Sequence, residues 1–225
     1  MIPYHIRLAT TTIAAALLAS CATDPTVSVQ QQSSLSGGSL DADTLFGRST
    51  RHAKFNVPAP SPQTVAASLD KPRDRHKMPL FGYEDRTRVV RTTAYTHTEA
   101  DHLIYGRKNA AGTTLRYSDK VRSAAADWSV YPVGTTFRIK GLPHLYVVDD
   151  YGSALVGTGT VDLYKPSHAV MNAWGRRNVE LTIVRWGSQK RSAEILKDRV
   201  HHAHCRQMFT SLLRQRRDLE HLVKR

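Results

Sequence analysis

Residues 147–164 read VVDDYGSALVGTGTVDLY and hold the features that decide the fold. A β-rich run ends in Asp149 and Asp150, a glycine-rich loop follows, and a second β-rich run carries Asp162. Short strands separated by glycines are typical of small β-barrels, whereas parallel sheets with crossover helices need longer helical connections. The stretch therefore predicts two strands of a barrel, with carboxylates close to both.

Further β-rich runs lie on both sides of this stretch. They are RVVRTTAYT at 88–96, TTFRIK at 135–140 and NVELTIVRW at 178–186. In the last run, Val179, Leu181 and Ile183 alternate with other residues at the period of a strand with one buried face. The pattern predicts a mainly β domain at 88–188, and SHAVMNAW at 167–174 predicts one short helix inside it.

The first 21 residues have the pattern of a lipoprotein signal. An apolar run from Leu8 to Ala19 is too short to span a bilayer and has the size of a signal-peptide core. It ends in LASC at 18–21, which resembles the bacterial lipobox. We expect a signal peptide at 1–20 and lipid on Cys21; the alternative is an ordinary secretory signal. Ala22 follows the cysteine, which by resemblance to the sorting rule of Gram-negative bacteria favours the outer membrane, facing the periplasm.

The barrel is flanked by segments of different composition. Residues 21–70 are rich in Ser, Thr, Gln, Gly and Pro, which predicts a flexible tether. Residues 71–87 form a basic entry segment. Residues 189–225 predict one basic amphipathic C-terminal α-helix, with Cys205, Phe209 and Leu212 on one face. That face can dock on the barrel or bind a partner protein, and both alternatives stay open, with membrane binding less favoured.

Composition narrows the partners. The chain has 225 residues and a formal net charge of +13, which indicates one domain with tails and a polyanionic partner. A location in the cell envelope disfavours nucleic acid as that partner. Two cysteines exclude a disulfide scaffold and a four-cysteine zinc module. His201, His202 and His204 beside Cys205 do not complete a metal-ligand set, so we expect no metal and no cofactor.

Five pieces, taken in order, resemble the 3D (three-aspartate) domain. They are TTAYT (92–96), AAGTTL (110–115), AADWSVYPVGTTFRI (125–139), VVDDYGSALVGTGTVDLY (147–164) and AVMNAWGRRNVELTIV (169–184). The resemblance implies a six-stranded double-psi β-barrel, as in lytic transglycosylases and stationary-phase muralytic proteins that carry this domain. It also implies that the partner is peptidoglycan. Ser153 stands where the family has a second glycine, and the interval from Asp150 to Asp162 is longer than usual near 158–161.

By position, the resemblance assigns the three aspartates to Asp127, Asp150 and Asp162. It makes Asp162 the general acid and then the base, with Asp150 as the second catalytic carboxylate and Asp127 in a supporting role. The spacing to the glycines favours Asp150 over Asp149. The other expected supporting or substrate-binding residues are Thr93, Tyr95, Gly152, Gly157, Tyr164 and Arg176. For the aspartates and aromatic residues, turn stabilisation and core packing remain alternatives.

Glycosidic cleavage needs a carboxylic acid that stays protonated near neutral pH, and burial beside other carboxylates raises a carboxyl pKa in this way. A hydrolase needs a second carboxylate, whereas a lytic transglycosylase uses the C6 hydroxyl of N-acetylmuramic acid as nucleophile. We therefore predict a lytic transglycosylase, with hydrolysis less favoured. The alternative is a non-catalytic module that ties the outer membrane to peptidoglycan, because no second β-domain is present to form the other wall of a groove.

Overall fold

The computed structural model describes residues 40–49, 55–100 and 102–217. Six strands close into a barrel in the order β1-β5-β2-β4-β3-β6. They are β1 (Thr87–Tyr95), β2 (Val121–Ala126), β3 (Thr136–Ile139), β4 (Leu145–Asp150), β5 (Val161–Tyr164) and β6 (Arg177–Arg185). The predicted six-stranded barrel is confirmed. The signal peptide and Cys21 lie outside the described residues.

Strand pairing in the barrel is mixed. The pairs β1/β5 and β2/β4 are parallel, and the remaining pairs are antiparallel. Side chains alternate between the two faces along each strand, so Val161 and Leu163 of β5 enter the core while Asp162 lies on the outer face. The core continues through Val148 of β4 and Leu181 of β6. The alternation that places apolar residues inside therefore places Asp162 outside.

Part of the predicted tether packs on the barrel, which corrects that prediction for residues 55–70. Helix α1 (Ala42–Phe46) and helix α2 (Pro62–Ala66) precede β1. Val65 of α2 is fully buried in a cluster with Met78 and Val89. The Ser61 backbone N–H donates to Glu180 Oε2 of β6 at 2.7 Å. Composition alone indicated flexibility, but a few well-placed apolar residues are enough to hold the segment.

The short helix predicted before β6 is α3 (His168–Trp174), and the Ser167 hydroxyl caps it by accepting from the Val170 N–H. The single predicted C-terminal helix is instead two helices, α4 (Gln189–Lys197) and α5 (Ala203–Gln215). The break falls at residues 198–202, DRVHH, where β-branched and histidine residues have low helix propensity. The turn allows both helices to pack on the barrel.

The two C-terminal helices bury one common apolar face. Leu196 of α4 and Cys205, Met208 and Leu212 of α5 are fully buried in the barrel's own core cluster. The barrel therefore covers this apolar face, which is the docking alternative. Within the described ranges, no helix has the length and apolar character needed to cross a membrane.

Candidate active site

Strand register alone brings the catalytic candidates into one row on the outer face of the barrel. Thr93 of β1 pairs with Asp162 of β5, and Asp162 pairs with Ala125 of β2. Ala125 in turn pairs with Asp150 of β4. Adjacent strands lie about 4.8 Å apart, so the Asp150 and Asp162 backbones are separated by about 10 Å. The small Ala125 side chain between them leaves space above the sheet.

A β-bulge determines which aspartate of the Asp149-Asp150 pair faces that space. Ala124 of β2 pairs with Val148 of β4, whereas the next residue of β2, Ala125, pairs with Asp150. Asp149 is therefore the extra residue of the bulge. The Asp149 carboxylate turns to the Ser123 hydroxyl, which donates to Oδ2 at 2.8 Å. Burial raises the pKa of Asp149 to about 7, partly opposed by that hydrogen bond. The bulge therefore presents Asp150, the aspartate that the glycine spacing favoured.

Asp162 has the environment of a carboxylic acid that titrates near neutral pH. Burial raises its pKa to about 7; the hydrogen bond from Thr93 opposes the shift, and repulsion by the Glu99 carboxylate adds to it. Arg91 lowers the pKa of Asp162, and Asp150 raises it by a smaller amount. The hydrogen bond to the Asp162 side chain comes from the Thr93 hydroxyl, which donates to Asp162 Oδ1 at 2.7 Å. Few donors and a desolvated position favour the neutral form.

Asp150 accepts more hydrogen bonds than Asp162. The Tyr95 hydroxyl donates to Oδ2 at 3.0 Å, and the backbone N–H groups of Ala110 and Tyr151 each donate to Oδ1 at 3.0 Å. Burial raises the pKa of Asp150, while these three hydrogen bonds act in the opposite direction. The two carboxyl groups thus sit in contrasting environments, and the donors around Asp150 favour its charged form.

Both carboxyl groups line one pocket of about 170 Å³. Gly152, which follows β4, and Ala125 contribute small surfaces to it, while Tyr95 and Tyr151 contribute aromatic ones. The sequence prediction that Asp150 and Asp162 meet in one cleft agrees with this arrangement. Of the expected supporting residues, Thr93, Tyr95 and Gly152 are at the site.

Glu99 also lines this pocket and was missed from the sequence. Its carboxylate accepts the Thr96 backbone N–H at 2.9 Å, while the Glu99 N–H bonds back to the Thr96 carbonyl. THTE at 96–99 matches the Thr-x-x-Glu spacing of a capping box, of which this turn keeps only the bond from the Thr96 N–H to the glutamate, and that spacing is the sequence signal for this side chain. The turn holds a third carboxylate close to Asp162, where its charge favours the protonated form of Asp162.

Asp127 and Gly157 belong to a different region. Asp127 is buried, and its carboxylate accepts from the Ser129 N–H at 2.8 Å, the Ser129 hydroxyl at 2.6 Å and the Gly157 N–H at 2.7 Å. Gly157 has φ +75°, a backbone conformation that would be strained for a residue with a side chain. Neither residue lines the pocket of Asp150 and Asp162. Their role is to join the turn after β2 to the glycine-rich loop.

Two other expected contact residues also lie away from the pocket. Tyr164 is fully buried, and its hydroxyl is 2.8 Å from Nδ1 of His97. Arg176 donates to the Arg48 carbonyl at 2.9 Å on the N-terminal segment. Sequence could not separate these residues from the site, because the residues of a strand or loop face different sides within one or two positions.

A second, larger pocket of about 510 Å³ continues from the first and shares His102, Asp150, Tyr151 and Gly152 with it. Its far side carries basic residues: Lys108 from the loop after β1, Arg199 from the turn between α4 and α5, and His202 and His204 at the start of α5. Burial and the neighbouring His202 lower the pKa of His204. Cys205 turns away to the Tyr151 hydroxyl, 3.3 Å from its Sγ. Among the residues that the structure describes, no cluster of three His, Cys, Asp or Glu side chains has metal-binding geometry.

A match to a family model supports the resemblance. Among solved structures, an apo form of a variant of the Escherichia coli lytic transglycosylase MltA is similar, with 22% sequence identity and a TM-score of 0.30. The match covers 36% of this chain and only 28% of the MltA chain. No curated protein sequence matches the chain. Residues 122–185, which span β2 to β6 and include Asp127, Asp150 and Asp162, match the family model of the 3D domain. The 3D-domain assignment therefore applies to residues 122–185, the part of the barrel from β2 to β6.

Proposed function

We propose that this protein acts on peptidoglycan and cleaves the β-1,4 bond between N-acetylmuramic acid and N-acetylglucosamine, as a lytic transglycosylase. The observation that carries the proposal is the Asp162 carboxyl group. Its pKa is raised to about 7, and it shares an open pocket with Asp150. A protonated carboxyl that reaches solvent beside a second carboxylate with more hydrogen-bond donors is the arrangement that glycosidic cleavage requires.

In the proposed reaction, Asp162 donates its proton to the glycosidic oxygen as the bond from that oxygen to C1 of N-acetylmuramic acid breaks. The C6 hydroxyl oxygen of the same sugar then bonds to C1, and its proton passes to the Asp162 carboxylate. The products are a 1,6-anhydro sugar end and a free hydroxyl on N-acetylglucosamine. No water is consumed, and Asp162 returns to its protonated form.

Asp150 supplies negative charge on the other side of Ala125. Its three hydrogen-bond donors favour the carboxylate, which stabilises positive charge that develops at C1 in an oxocarbenium-like transition state. Tyr95 holds Asp150 from β1, and Thr93 of the same strand holds Asp162. One strand thus positions both carboxyl groups.

The proposed location is the periplasmic face of the outer membrane, with lipid on Cys21 as the anchor. The sequence pattern LASC at 18–21 and the following Ala22 support this location. Labelling of cells with an alkyne fatty acid tests it. Label in the wild-type chain and none in a Cys21→Ser chain are expected, and equal label in both would contradict the proposal.

The test of the activity uses the chain without its signal, purified and incubated with peptidoglycan sacculi. Mass spectrometry of the released material should show anhydro-muropeptides, and these should be absent with Asp162→Asn. Asp119→Asn, which changes an exposed aspartate away from the pocket, is the matched control. Sacculi that are bound but not cut would favour a non-catalytic binding module, and reducing ends in place of anhydro ends would indicate hydrolysis.

A further inference from the structure

The C-terminal helices form one wall of the larger pocket, and the function assigned to the barrel does not account for that wall. The match to the 3D domain ends at residue 185, before α4 begins. Arg199, from the turn between α4 and α5, and His202 and His204, at the start of α5, all line the pocket. Without a second β-domain, the sequence left the tether, the segment at 71–91 and the C-terminal helix to form the other wall of a groove, and the C-terminal helices line this pocket.

This wall is tied directly to the candidate active site. Arg199 Nη1 donates to the Ala110 carbonyl at 2.9 Å and to the Tyr151 hydroxyl at 3.1 Å. The N–H groups of the same two residues, Ala110 and Tyr151, donate to the Asp150 carboxylate. The pocket beside the helices and the pocket around Asp162 are therefore held together by shared residues, and a ligand in one lies next to the other.

The charges along the two pockets are separated. Carboxyl groups cluster at the Asp162 end, where Asp150 and Glu99 also lie. At the far end the charged side chains are Lys108 and Arg199, with the rings of His202 and His204 beside them, and in the described part of the chain Lys108 makes no ion pair. A ligand that carries carboxylates is attracted to the basic end and repelled from the acidic end.

We infer that the basic end of the larger pocket binds a carboxylate-bearing peptide attached to the glycan strand, namely the stem peptide of peptidoglycan. The inference rests on the proposed function, because it places the glycan in the adjoining Asp162 pocket. Sequence analysis predicted the contact with substrate at Arg176, which instead binds the Arg48 carbonyl. The geometry places the cationic contact at Lys108, with the His202 ring beside it as a hydrogen-bonding group, while Tyr105 and Tyr151 offer apolar surface to the peptide and sugar.

The test compares two substrates: glycan strands that keep their stem peptides, and the same strands after an amidase has removed them. The variant is Lys108→Ala with His202→Ala, which leaves the Arg199 contacts to Ala110 and Tyr151 in place. We expect the ratio of kcat/KM on stem-bearing strands to kcat/KM on peptide-free strands to fall about five- to thirtyfold in the variant, mainly through KM. Lys120→Ala with His168→Ala removes the same residue types from exposed positions outside the pocket, and should keep the wild-type ratio.

A variant that loses activity equally on both substrates, or on neither, would overturn the inference. A second measurement separates this result from a failure of the proposed activity. A soluble stem tetrapeptide is titrated into the wild-type chain and into the Lys108→Ala/His202→Ala chain, and binding is followed by NMR of the histidine side chains. If the wild type cleaves neither substrate, peptide binding that is weakened in the variant would still support the subsite. Absence of peptide binding by the wild type would refute it.

Discussion

Asp127 and Asp162 come from the same three-aspartate motif but occupy opposite kinds of environment. Asp127 is sealed in the protein and accepts three hydrogen bonds, two of them from the backbone of separate loops. Asp162 accepts one hydroxyl and opens into a pocket. The number of donors and the access to a cavity, rather than the motif itself, divide these aspartates into one that holds loops and one suited to proton transfer.

The largest effect is expected for Asp162→Asn. The amide cannot donate a carboxylic proton, so lytic activity should fall by about 10²- to 10⁴-fold. Rates of anhydro-muropeptide release, normalised to folded protein, provide the measurement. A decrease of less than tenfold would remove Asp162 from the role of general acid.

Asp127→Ala should act on stability instead. It leaves the Gly157 N–H and the Ser129 N–H without their acceptor, which should lower the free energy of unfolding by about 2 to 4 kcal/mol. Urea denaturation checks this value. The folded fraction should still cleave peptidoglycan, and a fully stable but inactive variant would place Asp127 in the chemistry and break the contrast with Asp162.

The contrast also predicts how stability depends on pH. The folded-state pKa of Asp162 is raised to about 7, above the ordinary 3.8, so the folded state binds a proton that the unfolded state has already released. This contribution to stability is fully present below about pH 4 and is lost as the pH rises through about 7. At pH 8, Asp162→Asn should therefore stabilise the fold by about 1 to 2 kcal/mol, a value reduced for solvent exposure of the site. Thermal or urea unfolding at pH 5 and pH 8 measures the difference, and equal effects at both pH values would contradict it.

Two neighbours of Asp162 should move its titration in opposite directions. Thr93→Val removes a hydrogen bond that lowers the pKa, so the pH at which activity is half-maximal should rise. Glu99→Gln removes a charge that raises the pKa but keeps an acceptor for the Thr96 N–H, so that pH should fall. The kcat/KM–pH profiles of the two variants give the measurement. Shifts in the same direction would mean that another group controls the profile.

The strands, and the order in which the motif pieces follow one another, could be predicted from the sequence. Glycines and period-2 alternation mark the strands, as in residues 147–164. The pairing of Asp150 and Asp162 also followed, through resemblance. The break between α4 and α5 did not, because low helix propensity at 198–202 is a weak signal and the packing of Leu196 and Met208 in the core decides where the helices end. The packing of residues 55–70 depends in the same way on the burial of Val65. The bulge at Asp149 and the contact of Arg176 with the Arg48 carbonyl are tertiary features that no local pattern determines.

The central claim is that Asp162 remains protonated near neutral pH in a pocket open to substrate. The most direct measurement is a ¹³C NMR titration of the aspartate carboxyl carbons, with the Asp162 signal assigned by its loss in Asp162→Asn. A midpoint for Asp162 near pH 7 is the predicted result. A midpoint near pH 4 would mean that Asp162 is already ionised at neutral pH, and it would contradict the assignment of Asp162 as the proton donor.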